Sequence, residues 1–315
     1  MISSNTSKIK HKPRPNSAKQ LERQIALLIV FIPWLGTIAA FILLWKHGIG
    51  LVELGLCLSM YVVTTLGVTA GFHRLFTHRS FQTGRTIQVL LGIAGSMAAQ
   101  GPILFWVACH RRHHQNSDRP NDPHSPNLYT QGIRGRLAGF WHAHLGWMFN
   151  HDSEDWVRFV PELLRDQLIF KVNNWYFLWI FLGCLIPAIL GGLLTWTWQG
   201  IISGLFWGGF VRIFLVHHST WSINSICHIY GSRPYETNDE STNNFLCALL
   251  ACGEGWHNNH HAFPASARHG LEWWQFDLTY LVIHLLEKTG LIWDVKLPTA
   301  KMLEVKKREL NIGRI

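Results

Sequence analysis

The chain has 315 residues, of which 48% are apolar, with a formal net charge of +9 and 19 histidines. The basic balance does not indicate nucleic-acid binding, because Lys and Arg nowhere interleave with stacking aromatics in a soluble module. The placement of the apolar residues excludes an ordinary soluble domain: residues 25–45 hold no charge, residues 51–72 only Glu53, and residues 172–211 none.

Residues 1–24 form a polar arm rich in Lys, Arg, Ser and Pro, expected to be mobile. Its positive charge places it in the cytoplasm by the positive-inside rule. The run 25–45 starts too far in, and is too long, for a signal peptide. It is a first membrane span, since a crossing takes about 20 apolar residues. Residues 51–72 give a second. The uncharged stretch 86–109 has spanning length, but Gly101-Pro102 interrupts it, as in a bent or interfacial segment. Parity also argues against a crossing there, because it would put His78 and His110 on opposite sides of the membrane.

Segment 115–171 is polar, with "DRPNDPHSP" as a loop and "HDSEDWVRFVPELLRDQLIF" as an amphipathic helix. The next 40 uncharged residues fit two spans, 173–193 and 198–218. The connections on the far side, "KHGIG" and "TWTWQG", carry only Lys46, whereas Arg and Lys crowd the near side. Residues 219–298 complete a near-side cap, and 299–315 form a polar tail. The expected fold is an all-α integral membrane protein with four transmembrane helices and a cytosolic helical cap. The excess charge then reads as topology and attraction to anionic headgroups, and many of the 16 tryptophans suit interfacial belts. The six cysteines form no Cys-x-x-Cys pair and read as buried small hydrophobes.

Histidines cluster at three places: "FHRLFTHRS" with His73 and His78, "CHRRHHQNSD" with His110, His113 and His114, and "EGWHNNHHAF" with His257, His260 and His261. On a helix, positions i, i+3 and i+4 share a face, so each triplet can aim three imidazoles at one region. His73 and His78 stand about 140° apart on an α-helix and should diverge toward different metals. Asn224 and His228 form a further i, i+4 pair just past the last span. Nine imidazoles exceed what one ion can take, so two metals are implied. Zinc would use three or four ligands, commonly with Cys or a His-Glu-x-x-His motif. The soluble di-iron bundles use Glu-x-x-His pairs. Neither pattern occurs here, and a histidine-rich di-iron centre fits best. Such a centre can activate O₂ with two external electrons and attack an unactivated C–H bond of a lipid chain. His124, His142, His144 and His151 read as surface or packing residues. A His-rich metal transporter is the rival from another class, but it calls for ionisable residues inside the spans, and 25–45 and 172–211 have none.

The motifs "GVTAGFHRLFTHRSF", "HRRHH", "NDPHSP", "HLGW", "TWSINSICHIYGSRPY" and "GEGWHNNHHAFPASARHG" resemble the membrane-bound Δ9 fatty-acyl desaturases, from about residue 50 to 298. "SARHGLEWWQFDLT" resembles most the cyanobacterial and related bacterial branch. The resemblance implies a desaturase domain over 25–298 in a plasma or thylakoid membrane, with both termini and the active site cytoplasmic. It implies two Fe²⁺ ions and O₂-dependent removal of two hydrogens at C9–C10 of a saturated chain. The implied ligands are His73, His78, His110, His113, His114, Asn224, His228, His257, His260 and His261. The implied acyl tunnel is lined by Gln100, Trp106, Trp147, Thr220 and Trp221 and closed by Tyr61 and Thr65. A hydroxylase or ketolase on the same scaffold is the alternative chemistry.

One departure bears on the carrier. Animal acyl-CoA desaturases hold the CoA headgroup with an Arg-Asp pair before the second histidine box and a basic pair after the "GW" motif. Here those places read Ala108-Cys109 and His151-Asp152. This favours an acyl chain esterified to a membrane lipid over acyl-CoA and leaves an acyl-carrier-protein thioester open. The chain shows no dinucleotide fingerprint, so a separate electron donor is expected on the cytosolic face, ferredoxin or alternatively cytochrome b5. Arg111, Arg112, Arg134, Arg136 and Arg268 would steer such an acidic partner.

Overall fold

Four long helices carry the uncharged runs. In the computed structural model, which describes residues 16–149 and 156–307, they are α1 (Asn16–His47), α2 (Leu51–Leu66), and two that follow a set of short cap helices. By length and composition the spans are Lys19–Leu43, Leu51–Thr77, Tyr176–Thr195 and Trp198–His228. Their outward faces are apolar and exposed, for example Phe31, Leu35, Phe177 and Leu193, which suits lipid and not water.

Two spans run further than expected. Beyond α2 the helix continues as a π-helix, Gly67–Thr77, so it ends at Thr77 and not at residue 72. The fourth span likewise continues past residue 218 to His228. Histidines expected beyond the membrane helices therefore stand on their extensions. At the other end, residues 16–24, expected as mobile arm, already belong to α1. Residues 1–15 of that arm and 308–315 of the expected tail lie outside the described residues.

The expected break in the 86–109 stretch is present. Helix α3 (Arg85–Met97) ends before Gly101, and α4 (Ile103–Asn116) starts after Pro102, whose missing N–H costs nothing at a helix start. Gly101 takes a positive φ of 102°, and its N–H donates to the Tyr176 hydroxyl at 2.8 Å. A Cβ on Gly67 would lie 2.1 Å from the backbone nitrogen of Gly95, so α3 crosses the π-helix at backbone contact.

After α5 (Ile133–His144), the described part of the stretch expected as one amphipathic helix, from residue 156 on, is instead three short pieces: a 3₁₀ turn Trp156–Phe159, α6 (Pro161–Arg165) and α7 (Gln167–Asn174). Pro161 can only begin a helix. Asp166 ends α6 and caps α7, accepting from the N–H groups of Leu168 and Ile169.

Helices α8 (Tyr176–Thr195) and α9 (Trp198–Gly204) form the membrane hairpin. Trp196 sits in the left-handed region at φ 55°, and its N–H closes α8 on the Gly192 carbonyl. Gly191 and Gly204 let the two backbones touch: a Cβ on either would fall about 2 Å from a carbonyl oxygen of the facing helix. The span then runs through a second π-helix, Leu205–Val211, into α10 (Arg212–Ser225) and the 3₁₀ turn Ile226–His228. Arg212 is fully buried and donates to the carbonyls of Met97, Gly183 and Gly208.

The rest of the cap is α11 (Phe245–Leu250), α12 (His257–Ala262), α13 (Leu278–Lys288) and α14 (Ala300–Lys306), the last lying within the expected tail. Strands β1 (Gln82–Thr83) and β2 (Ile292–Trp293) pair antiparallel, tying the segment after His78 to the C-terminal part. The main core includes Phe72, Phe76, Phe81, Ile103, Val107, Ile169 and Ile283 and lies under the histidines. All six cysteines are free, five of them buried.

Candidate metal centre

Two groups of imidazoles form in the cap. His73, His78, His110, His114 and His260 bring one ligand atom each within 4.8 Å of one another, and so do His113, His228, His257 and His261. All nine histidines singled out from the sequence are here, but distributed differently from the expectation. His73 and His78 converge. The π-helix donates from the His78 N–H to the His73 carbonyl (3.1 Å), and an i→i+5 bond places residues five apart nearly above one another. Their rings lie 4.8 Å apart.

The triplets, expected to converge, split instead. His110 and His114 enter the five-histidine group while His113 enters the four-histidine group; His260 joins the first while His257 and His261 join the second. Positions i+3 and i+4 lie about 100° apart around a helix, enough to serve two neighbouring centres.

The rings face each other through Nε2. His73 and His260 approach at 3.1 Å, His110 and His114 at 3.0 Å, His114 and His260 at 2.9 Å, and His228 and His257 at 3.1 Å. Nε2 of His78, His113 and His261 is buried with no hydrogen-bond partner. Nitrogen lone pairs gathered in this way, without donors to satisfy them, fit cations and fit iron among those imidazole suits.

Carboxylates stand behind the rings. His113 Nδ1 meets Asp122 at 2.9 Å, His228 Nδ1 meets Asp118 at 2.8 Å, His261 Nδ1 meets Asp239 at 2.7 Å, and His73 Nδ1 meets Glu254 at 2.5 Å. This is the arrangement that fixes the tautomer and orientation of a metal-binding histidine. Glu254 and Asp277 also accept from the fully buried Arg74, both at 3.0 Å. Burial, reinforced by neighbouring imidazoles, pushes His110, His114, His257 and His260 well below the ordinary histidine value, so they are neutral and free to ligate. Burial alone would raise Asp122, but the charge and hydrogen bond of His113 hold it below the usual carboxylate range.

Sequence reading missed this outer layer. The signal available was "NDPHSP", quoted as a motif without a role for Asp122. His124, expected to be a packing residue, is 4% exposed, its ring 4.4 Å from that of His113. His269, not singled out, lies with its ring 4.5 Å from that of His260. His144 does take a packing role, between Ser225 and His218, and His142 lies against Tyr129. His151 and Asp152 lie outside the described residues.

A cavity of about 900 Å³ reaches His110, of the five-histidine group, and Asn224. Five expected tunnel residues, Gln100, Trp106, Trp147, Thr220 and Trp221, line it, as do Cys109 and His124. Gln100 donates to Thr220 at 2.6 Å, and Trp106 stacks on His110 at 5.1 Å. Tyr61 and Thr65 are not among the lining residues. Tyr61 donates to the Leu250 carbonyl at 2.7 Å, and Thr65 is buried. Lys19, Glu22 and Arg23 of α1 and Asn173 and Asn174 of α7 also line the cavity.

The expected basic approach is smaller than five arginines. Arg111 is spent internally on Glu162 and the carbonyls of Phe76, Thr77 and Phe159. Arg268 donates to the Gly270 carbonyl and lies over Tyr280. Arg134 and Arg136 on α5 are exposed, and half-buried Arg112 donates to the Asn121 carbonyl.

The family model described as "Fatty acid desaturase" matches residues 51–295. The chain is similar, at 52% identity over 291 residues, to a hex-5-enoyl-[acyl-carrier protein] acetylenase of Moorena producens (strain JHB), covering 92% of this chain and 91% of that one. It is 43% identical over 251 residues to an sn-1 stearoyl-lipid 9-desaturase of Anabaena variabilis, covering 78% and 85%. An acyl-CoA C20 Delta5-desaturase of Anemone leveillei is 37% identical over 260 residues, covering 81% and 76%.

Proposed function

Because the chain belongs to the fatty acid desaturase family, we propose that it is an O₂-dependent desaturase that places a cis double bond, at Δ9, in a saturated acyl chain esterified to a membrane lipid. The observation that carries this reading is the pair of imidazole groups, the first of which reaches a mostly apolar cavity through His110. His73, His78, His110, His114 and His260 would hold one iron, and His113, His228, His257 and His261 the other, with Asn224 as tenth ligand beside His228. Bound there, two irons supply the reduction of O₂ to water and the oxidation of a C–H bond. The chain's own residues do the rest. Gln100, Trp106, Trp147, Thr220 and Trp221 hold the acyl chain against the ligands. The aromatic walls exclude water, and the carboxylates keep the imidazoles in the ligating tautomer.

The active site is assigned to the cytoplasmic face, with ferredoxin, alternatively cytochrome b5, delivering two electrons per double bond. Arg134 and Arg136, exposed on α5, are the arginines placed to steer it.

A second reading has a specific observation behind it. The Moorena relative's name gives it an acyl-carrier-protein substrate, and the cavity lining leaves out Tyr61 and Thr65, so a shorter chain on a carrier protein is the alternative. Expression in a host lacking monounsaturated fatty acids separates the two. Δ9-monounsaturated lipids restored to the membrane support the first reading. No lipid product, together with turnover of an acyl-carrier-protein thioester by the purified chain, supports the second.

A further inference from the structure

The two histidine groups are not equally supported. In the four-histidine group, three rings donate Nδ1 to a carboxylate: His113 to Asp122, His228 to Asp118 and His261 to Asp239. Each carboxylate is itself held. Asp122 accepts from the N–H groups of Asp118 (2.8 Å) and His124 (3.1 Å). Asp118 accepts from the Ser125 hydroxyl (2.6 Å), the Asn127 amide (2.9 Å) and the Glu240 N–H (2.8 Å). Asp239 accepts from the hydroxyl and N–H of Ser241. Arg233, the arginine near Asp239, reaches only its backbone carbonyl and spends its charge on Glu240.

In the five-histidine group one ring has such a partner, His73 on Glu254, and that carboxylate is shared with Arg74 at 3.0 Å. Each group also holds one ring whose Nδ1 is buried with no hydrogen-bond partner, His260 here and His257 in the four-histidine group, so the difference lies in three carboxylate-backed rings against one. A carboxylate behind an imidazole orients it and raises its basicity, and an arginine on the same carboxylate takes back part of that charge.

We propose that Asp118, Asp122 and Asp239 are positioning residues that make the four-histidine group the tighter of two unequal metal sites, the five-histidine group being the one that loses metal first. The inference rests on the reading that both groups hold iron.

The test follows iron release from the full-length chain, purified with its metal in detergent and exposed to a chelator. Release occurs in two phases of equal size, His78→Ala removing the fast phase and His261→Ala the slow one. Asp118→Asn, Asp122→Asn and Asp239→Asn each quicken the slow phase by about 10–100-fold and leave the fast phase and the helical melting curve unchanged. Glu254→Gln quickens only the fast phase. Asp118 and Asp122 share the loop after α4, whereas Asp239 stands far along the chain before α11, so a variant at one place that fails to accumulate leaves the other place to decide. A slow phase removed by His78→Ala, or a slow phase indifferent to the aspartate variants, overturns the proposal. A wild-type chain carrying no iron overturns the metal reading itself, a result distinct from two irons leaving in the opposite order.

Discussion

The α8–α9 hairpin and the histidine cap are built on opposite principles. In the hairpin the side chains are almost all apolar and the helices touch through Gly191 and Gly204, so the requirement on sequence is small residues at the contact and no charge elsewhere. The cap buries Arg74, Asp122, Glu254, Asp277 and five of the nine grouped histidines, and each must find a partner, because an unpaired buried charge costs several kcal/mol. The bundle is therefore tolerant in composition and strict in volume, while the cap is strict in chemistry. Arg212 is the exception inside the bundle. It is accepted because three carbonyls receive its donors.

The largest expected effect comes from the cap. Replacing His113 or His260 by Ala should abolish desaturation and lower iron per chain, one variant from each group. Wild-type activity in both would defeat the metal reading. Arg74→Met comes next. It leaves Glu254 and Asp277 buried without their cation and should cost about 3–5 kcal/mol, seen as a lower melting temperature and loss of iron. A variant as stable as wild type would mean that water or rearrangement replaces the guanidinium.

In the bundle, Gly191→Val should cost about 1–3 kcal/mol by overpacking, read as reduced thermal stability in detergent with the iron content of the folded fraction unchanged. Loss of iron in step with stability would show that bundle and cap are not separable in this way. The smallest effects are expected at Tyr61, where the two regions meet. Tyr61→Phe removes one hydrogen bond to Leu250, worth about 0.5–1.5 kcal/mol, without changing products. Tyr61→Ala should admit longer acyl chains if this residue closes the tunnel, and an unchanged product profile would leave it a packing residue.

The sequence by itself determined the four spans, the break at Gly101-Pro102 and the identity of the nine imidazoles. An uncharged run of 20 residues and a repeated His-x-x-His-His pattern are local properties that need no neighbour to be recognised. Tertiary structure decided which imidazole joins which group. The α-helical period predicted that His73 and His78 diverge and that each triplet converges, and both expectations were reversed, because Gly67–Thr77 winds as a π-helix and the triplets straddle two centres. The carboxylates behind the rings were equally hidden. Asp118, Asp122, Asp239 and Glu254 stand from 9 to 181 residues away in sequence from the histidines they orient, and only the folded cap brings them within 3 Å. A hydrogen bond between distant residues leaves no period in the sequence, which is why the imidazoles could be read and the carboxylates behind them could not.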